Sequence, residues 1–123
     1  MKGKNASVVI MILTLQFVRP LKRDKIIQDI YSGLKEKGCF ILIEKVLNQD
    51  SFLDSLYTEL YYRFKERSGY SSMEIAKKRE ALENVLIPYR VDEDTELLRK
   101  NGFKTVESFF RWYNFCGFIG VKT

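Results

Sequence analysis

An apolar segment close to the start of the chain limits what the protein can fold into. Residues 5–20 read NASVVIMILTLQFVRP, and residues 8–13 carry no polar side-chain atom. The segment is too short to cross a bilayer, which takes about 20 apolar residues. Thr14 and Gln16 interrupt it, and its β-branched residues favour extended structure. A β-strand is therefore predicted here, in preference to a signal peptide or a membrane anchor.

Composition restricts the chemistry that the chain can perform. Its 123 residues suit one domain, and its net charge of +5 is spread along the sequence, which is typical of a solvated surface. There is no histidine, so Ser-His, Cys-His and histidine-ligated zinc sites are excluded, and no metal site is predicted. Cys39 and Cys116 are far apart and are predicted to be reduced packing residues of a cytoplasmic protein.

The next part of the sequence predicts a strand–helix–strand unit. Pro20 suits the first position of a helix, and Gly38 is predicted to end it. A second continuous apolar strand follows, CFILIEKV at residues 39–46. Between these limits the apolar residues recur at helical spacing: Ile26, Ile27, Ile30, Tyr31 and Leu34. Two parallel strands joined by a crossover helix are predicted.

Three further helices and a hairpin complete the predicted order. The helices are expected near residues 50–67, 71–86 and 92–101, and the hairpin strands meet near residues 114–117. The order is β-α-β-α-α-α-β-β, an α/β chain with a mixed sheet. Because the first two strands are continuously apolar, helices are expected on both faces of the sheet. A buried parallel strand does not suit a sheet edge, so the strands that flank residues 7–13 are expected upstream, in the other half of a doubly wound fold.

Several short motifs resemble one enzyme family. TLQF, EK, GYS, KR and LENV, together with the ending FFRWYNFCGFIGVK, are similar to those of the carboxy-S-adenosyl-L-methionine synthases from residue 5 to residue 122. This resemblance implies the C-terminal half of a Rossmann-like class I methyltransferase fold. It also implies an enzyme that uses S-adenosyl-L-methionine (SAM) and prephenate to make carboxy-SAM for wobble-uridine modification of tRNA.

The resemblance also implies that residues 1–123 are a partial domain. The Gly-rich turn that approaches the cofactor lies in the family's N-terminal half, and no two glycines of this chain form a G-x-G pair. The chain alone is therefore predicted neither to bind SAM nor to be active. Its expected partner is the missing half or a second copy, with a small-molecule substrate in the complete enzyme and neither nucleic acid nor membrane in direct contact.

Arg79 is the principal candidate site residue. It shares a helical stripe with Ile75, Leu82 and Leu86, so it is predicted to point into an apolar environment and to meet an anion. An internal salt bridge or a snorkelling side chain is the alternative. The resemblance implies that Arg79 binds the carboxylate of carboxy-SAM, which suits the two parallel N–H groups of a guanidinium.

Three other positions are weaker candidates. Ile12 stands where the family usually has a cofactor-contacting asparagine, and isoleucine offers neither donor nor acceptor. Glu44 is predicted either to face the ligand crevice or to lie on the surface. Tyr70 is expected to line the pocket or to pack against neighbours. The C-terminal aromatic residues are expected in the core rather than stacked on bases: Phe109, Phe110, Trp112, Tyr113 and Phe115.

Three alternatives to a carboxy-SAM synthase fragment stay open. One is a methyltransferase of related fold. Another is a non-catalytic remnant or an assembly module that pairs through the open strand. The weakest is a small RNA-binding protein, which depends on the net charge alone.

Overall fold

The computed structural model describes residues 5–82 and 85–123. Its strands are β1 (Ala6–Ile12), β2 (Leu34–Leu47), β3 (Tyr89–Arg90), β4 (Thr105–Trp112) and β5 (Phe115–Val121). Its helices are α1 (Pro20–Gly33), α2 (Ser51–Arg67), α3 (Ser72–Leu82) and α4 (Val91–Lys100), with a 3₁₀ turn at Leu15–Phe17. The predicted order is confirmed, with the 3₁₀ turn and the two-residue β3 as additions. No helix in the described ranges is long and apolar enough to cross a membrane.

The strands form one mixed sheet in the order β1-β2-β5-β4, with β3 beside the end of β2. β1 and β2 are parallel, whereas β5 is antiparallel to both β2 and β4. The predicted crossover unit and C-terminal hairpin are therefore confirmed. Among the described residues β1 pairs only with β2, so it is an edge strand.

Helix α1 ends earlier than the sequence pattern predicts. It stops at Gly33, and Leu34 already belongs to β2, so the prediction of a stop at Gly38 is wrong. Leu34 is buried and continues the apolar spacing, although it belongs to the strand. Gly38 has another role, because a Cβ there would lie 2.8 Å from the carbonyl oxygen of Lys35 and 3.0 Å from that of Ala6. Only glycine allows this close approach without a shift of the backbone.

Helix caps explain where α2 and α3 begin. Asp50 accepts a hydrogen bond of 2.9 Å from the backbone N–H of Leu53, at the start of α2. Ser71 and Glu74 form a reciprocal capping box before α3, with hydrogen bonds of 3.0 and 3.1 Å. The predicted extension of α3 toward residue 86 passes through residues 83–84, which lie outside the described ranges.

The core lies on one face of the sheet, beneath α1 and α4. Apolar side chains of both helices pack there on the strands, and the main members are Ile27, Ile30, Phe40, Leu42, Leu97, Leu98, Phe103 and Phe118. α2 contributes no buried residue. Its ring side chains contact the hairpin end of the sheet instead, with Phe64 5.1 Å from Trp112 and Tyr61 5.2 Å from Phe115 between ring centroids.

The opposite face of the sheet is left open by the described residues. Val8, Ile10 and Ile12 of β1 are 52%, 61% and 55% exposed. The described helices therefore cover one face only, and the expected helices on the other face are not among the described residues. The aromatic prediction fails for a related reason, because Phe109, Phe110 and Trp112 on β4 are exposed rather than in the core. We call Val8, Ile10 and Ile12, with the half-buried Ile41 and Ile119 beside them, the open face.

Candidate binding cavity at the strand ends

A cavity of about 760 Å³ lies at the carboxyl ends of the two parallel strands. Its walls are the turn after β1, the end of β2, helices α2 and α3, and the β4–β5 turn. Ligands of open α/β sheets bind at this edge, because the loops that leave neighbouring parallel strands diverge there. The cavity is therefore the candidate functional site.

Cations predominate among the charged side chains that line the cavity. They are Lys45, Lys65, Lys78 and Arg79, against the two carboxylates Asp54 and Glu80. Burial lowers the pKa of Lys45, and the charges of Lys65 and Arg79 lower it further, while Asp54 acts in the opposite direction. Asp54 is itself engaged by Asn48, whose backbone N–H donates to Oδ1 at 2.8 Å. An anionic ligand would relieve the repulsion among the cations.

Arg79 lines the cavity but is not buried. On α3 only Ile75 is buried, so the prediction of an arginine enclosed in an apolar stripe is wrong. The reason is that α3 packs only lightly on its neighbours and leaves most of its surface in solvent. The guanidinium carbon lies 5.5 Å from the centre of the Tyr62 ring on α2. Within the described ranges Arg79 forms no ion pair, so the guanidinium can still engage an anion.

Ile12 ends β1 at the edge of this region. It pairs with Ile43 in register, and its side chain is 55% exposed. Ile12 is not among the residues that line the cavity, whereas the next residue, Leu13, is. An isoleucine here presents only hydrocarbon to a ligand.

Tyr70 is also exposed, at 51%, and is absent from the cavity lining. Its ring centre lies 5.2 Å from Nζ of Lys65, which lines the cavity. Tyr70 therefore stabilises a cavity cation from outside the cavity itself.

Glu44 lies in neither of the predicted positions. It is 2% exposed, on the covered face with Phe40, Leu42 and Val46, so the alternatives of a crevice or a surface carboxylate are both wrong. Strand alternation explains this placement, because residues two apart share a face. Burial and, to a smaller extent, the charge of Asp94 raise the pKa of Glu44, Arg23 and the backbone N–H of Gln16 act against the rise, and together they place the pKa at about 8.

Arg23 and Asp94 are buried residues that the sequence analysis did not identify. Arg23 is fully buried on α1, and Asp94 is 1% exposed on α4. Burial raises the pKa of Asp94, the charge of Arg23 lowers it and that of Glu93 raises it, and together they place the pKa at about 7. The spacing that singled out Arg79 would have found Arg23, which precedes Ile27 and Ile30 by four and seven residues.

Arg23 and Gln16 connect three segments around the cavity. Nε of Arg23 donates to the carbonyl of Val18 at 2.8 Å, and Nη2 donates to the carbonyls of Gln16 at 3.3 Å and Ile87 at 2.7 Å. Oε1 of Gln16 accepts a hydrogen bond of 2.7 Å from the backbone N–H of Lys45. The turn after β1, the end of β2 and the segment that follows α3 are therefore held together.

A second polar network fixes the hairpin turn against α2. Buried Asn114 donates from Nδ2 to Oγ1 of Thr58 at 2.7 Å, and its Oδ1 accepts from Asn48 at 3.1 Å. Arg111 donates to Oδ1 of Asn48 from the other side. In the described part of the chain, no group of three His, Cys, Asp or Glu residues is arranged to hold a metal ion.

Comparison with known proteins reveals relatives that share one name. The chain is 53% identical to the carboxy-S-adenosyl-L-methionine synthase of Methylococcus capsulatus over 119 residues, which is 97% of this chain and 49% of that protein. It is 49% identical to the synthase of the same name from a Nitratiruptor strain, again over 97% of the chain and 50% of that protein. The chain thus spans about half the length of these relatives. No family model matches the sequence.

Solved structures show a common fold at low sequence identity. Human N-acetylserotonin methyltransferase in complex with SAM superposes with a TM-score of 0.64 at 16% identity, over 99% of this chain and 31% of that one. An O-methyltransferase family protein from Burkholderia thailandensis gives 0.66 at 15%, over 99% and 32%. These likenesses establish the Rossmann-like fold of SAM-dependent methyltransferases.

Proposed function

Because the chain is homologous to about half of a carboxy-S-adenosyl-L-methionine synthase, we propose that it is the C-terminal half of such a SAM-dependent transferase domain. In this proposal it acts only with an N-terminal half that supplies the Gly-rich cofactor loop. The observation that carries the proposal is the 53% identity over 97% of the chain, against 49% coverage of the relative. The complete enzyme would convert SAM and prephenate to carboxy-SAM, phenylpyruvate and water, for wobble-uridine modification of tRNA in the cytoplasm.

The open face supports a missing half. Val8, Ile10 and Ile12 are more than half exposed on an edge strand, and an apolar surface of this kind marks an interaction site. In the proposed complete domain, further strands pair with β1 and further helices cover this face. The same surface would otherwise favour association of the isolated chain.

Arg79 is proposed to bind a carboxylate of the ligand. Its guanidinium lines the cavity, has no ion-pair partner within the described ranges and lies over Tyr62. Lys45 and Lys65 add positive charge around it. A forked guanidinium can give a carboxylate two parallel hydrogen bonds, which an ammonium cannot.

The residues present do not form a SAM site by themselves. Ile12 exposes a hydrocarbon side chain where the family usually has asparagine, and the 123 residues contain no G-x-G turn. SAM, when bound to the complete enzyme, would supply the sulfonium-bound methyl group that becomes carboxylated, with prephenate as the source of the carboxyl group. The part of this chain is to shape the cavity, to exclude water from it and to hold the ligand's carboxylate.

Complementation tests this function directly. The chain would be co-expressed with the N-terminal half of the Methylococcus capsulatus relative, and carboxy-SAM formation measured with SAM and prephenate. Formation by the pair, but not by either half alone, is expected. Turnover by the 123-residue chain alone, or none by a stable complex of the two halves, would contradict the proposal. If the complex formed methylated products instead, a related methyltransferase would replace the synthase.

A second candidate is an assembly module that pairs through β1. The exposed edge of β1 favours this function, because unpaired strand edges readily pair with another copy. Sedimentation of the chain, alone and mixed with the N-terminal half, distinguishes the two. A stable homodimer that does not bind the N-terminal half supports the module. A complex of this chain with the N-terminal half (the two-part complex), itself dimeric, supports the transferase.

A further inference from the structure

Four buried polar atoms lie close to the cavity wall without a hydrogen-bond partner among the described residues. They are Nη1 of Arg23, Oε2 of Glu44 and both carboxylate oxygens of Asp94. All three residues are at least 98% buried, on α1, β2 and α4. A buried charge is costly unless another charge balances it, so the sum of these three charges matters.

The charge balance favours one retained proton. Arg23 supplies one positive charge, and two ionised carboxylates would leave the cluster with one net negative charge in the core. One protonated carboxyl makes the sum zero. The raised pKa values of Glu44, about 8, and Asp94, about 7, agree with this balance and belong to the pair as a coupled system.

Among the described residues, Glu93, Cys116 and Tyr89 are the other titratable neighbours of the cluster. Glu93 follows Arg90 on α4 and is partly exposed, and its charge raises the pKa of Asp94. Cys116 on β5 pairs in register with Glu44, and burial raises the pKa of its thiol, so it stays neutral. Tyr89 on β3 stacks on Arg23, 4.4 Å from its ring centre to the guanidinium carbon.

Arg23 also holds the cavity wall in place through hydrogen bonds. Its donors reach the carbonyls of Val18, Gln16 and Ile87, while the backbone N–H of Ile87 donates to the carbonyl of Gln16 at 2.9 Å. These bonds tie the segment that returns from α3 to the turn after β1. Arg79 lies on α3, which precedes this segment in the chain.

We infer that Arg23 is a positioning residue for the cavity. A proton held by Glu44 or by Asp94 preserves the hydrogen bond from Arg23 to the carbonyl of Ile87. Loss of the proton gives the core a second negative charge. The free Nη1 and the rest of the guanidinium are then drawn toward the carboxylates, and the bonds to Gln16 and Ile87 weaken. The cavity wall therefore loosens at alkaline pH. This inference rests on the proposed function only in taking the cavity as the ligand site.

Hydrogen exchange of the Ile87 amide tests the inference without any ligand. The opening constant of this amide, corrected for the intrinsic pH dependence of exchange, is expected to rise about tenfold or more between about pH 6 and about pH 9. Amides at the centre of β2 serve as the reference for global unfolding. Because no activity is measured, failure of the proposed function leaves this result unaffected.

Two variants make the test specific. Glu44→Gln keeps the shape of the protonated carboxyl and leaves Arg23 balanced by Asp94, so the opening constant should change less than about twofold over the same range. Asp94→Asn should behave alike and serves if the first variant does not fold. Glu36→Gln, at an exposed position of the same strand, should retain the wild-type pH dependence. A pH-independent opening in the wild type, or an unchanged rise in both buried-site variants, would overturn the inference.

Discussion

The side-chain carbonyl of Gln16 accepts a hydrogen bond of 2.7 Å from the backbone N–H of Lys45 and thereby joins the turn after β1 to the end of β2. Gln16 is 5% exposed, so no solvent replaces this bond when it is lost. This hydrogen bond fixes the carboxyl ends of β1 and β2 relative to each other, at the edge of the sheet where the cavity opens. The polar side chain in the otherwise apolar TLQF motif thus has a structural reason.

Gln16→Leu is expected to destabilise the chain by about 1–3 kcal/mol, because a buried N–H loses its acceptor. Urea unfolding followed by circular dichroism measures the change. Gln28→Leu is the matched control, since Gln28 is exposed and bonds only to Asn101 at 3.0 Å; its cost should be below about 1 kcal/mol. Equal losses of unfolding free energy in the two variants would show that the buried Gln16–Lys45 bond contributes no more to stability than the exposed Gln28–Asn101 bond.

Stability should fall as the pH rises from mildly acidic to mildly alkaline values. The pKa values of Glu44 and Asp94 are about 8 and about 7 in the folded chain, above their ordinary values of 4.5 and 3.8. The folded chain therefore holds protons that the unfolded chain releases, and the free energy of unfolding decreases through this window by on the order of a few kcal/mol.

Urea unfolding at about pH 5 and about pH 9 measures this decrease. Glu44→Gln should reduce the dependence to the part that Asp94 contributes, whereas Glu36→Gln should leave it intact. A wild-type chain that is more stable at the alkaline value would contradict the protonation assigned to the cluster.

Gly38→Ala should destabilise by about 2–3 kcal/mol, since the new Cβ meets backbone oxygens that cannot rotate away. Gly69→Ala is the comparison, because nothing lies within 4 Å of its Cβ and its cost arises only from a φ of +101°. That cost should be about 1 kcal/mol. Thermal or urea unfolding of both variants gives the ranking, and a smaller loss for Gly38→Ala would refute the close approach between β1 and β2.

The sequence predicted the elements well because their signals are local. The β-branched residues of β1, the Asp50 cap of α2 and the acidic first turn of α4 each act within a few residues. The end of α1 was misplaced because Leu34 satisfies both a helical stripe and a buried strand position. Local spacing cannot distinguish those two environments.

The site was harder to predict because burial depends on what packs against an element. The same helical spacing marks Arg79 and Arg23, yet α3 stays exposed while α1 lies on the sheet, so only Arg23 is enclosed. Glu44 was expected either at the ligand crevice or on the surface, because its charged neighbours in the core, Arg23 and Asp94, are distant in sequence. Arg23, Glu44 and Asp94 are far apart in sequence and come together only in the folded chain.

Arg79→Ala should weaken binding of a carboxylate-bearing ligand to the two-part complex by about 10- to 100-fold, the loss of a charge-assisted hydrogen bond. Isothermal titration with carboxy-SAM measures this. Lys77→Ala, on the other side of α3 and outside the cavity, is the matched control. Equal loss in both variants would reassign the effect to net charge.

Ile12→Asn places at the end of β1 the asparagine that the family resemblance implies for this position. It should strengthen cofactor binding to the two-part complex by about 5- to 10-fold, since a neutral hydrogen bond contributes about 1 kcal/mol. The same titration with SAM measures the gain. An unchanged affinity would indicate that no ligand group reaches this position.

In the proposed function, β1 and the open face form one side of an interface with the other half of the domain. Sedimentation velocity of the chain mixed with excess N-terminal half of the Methylococcus capsulatus relative tests it most directly. We expect a 1:1 complex that Ile10→Lys on the open face abolishes. Leu21→Lys, at a 95% exposed position of α1, should leave the complex intact. A chain that sediments alone, or a complex indifferent to Ile10→Lys, would contradict it.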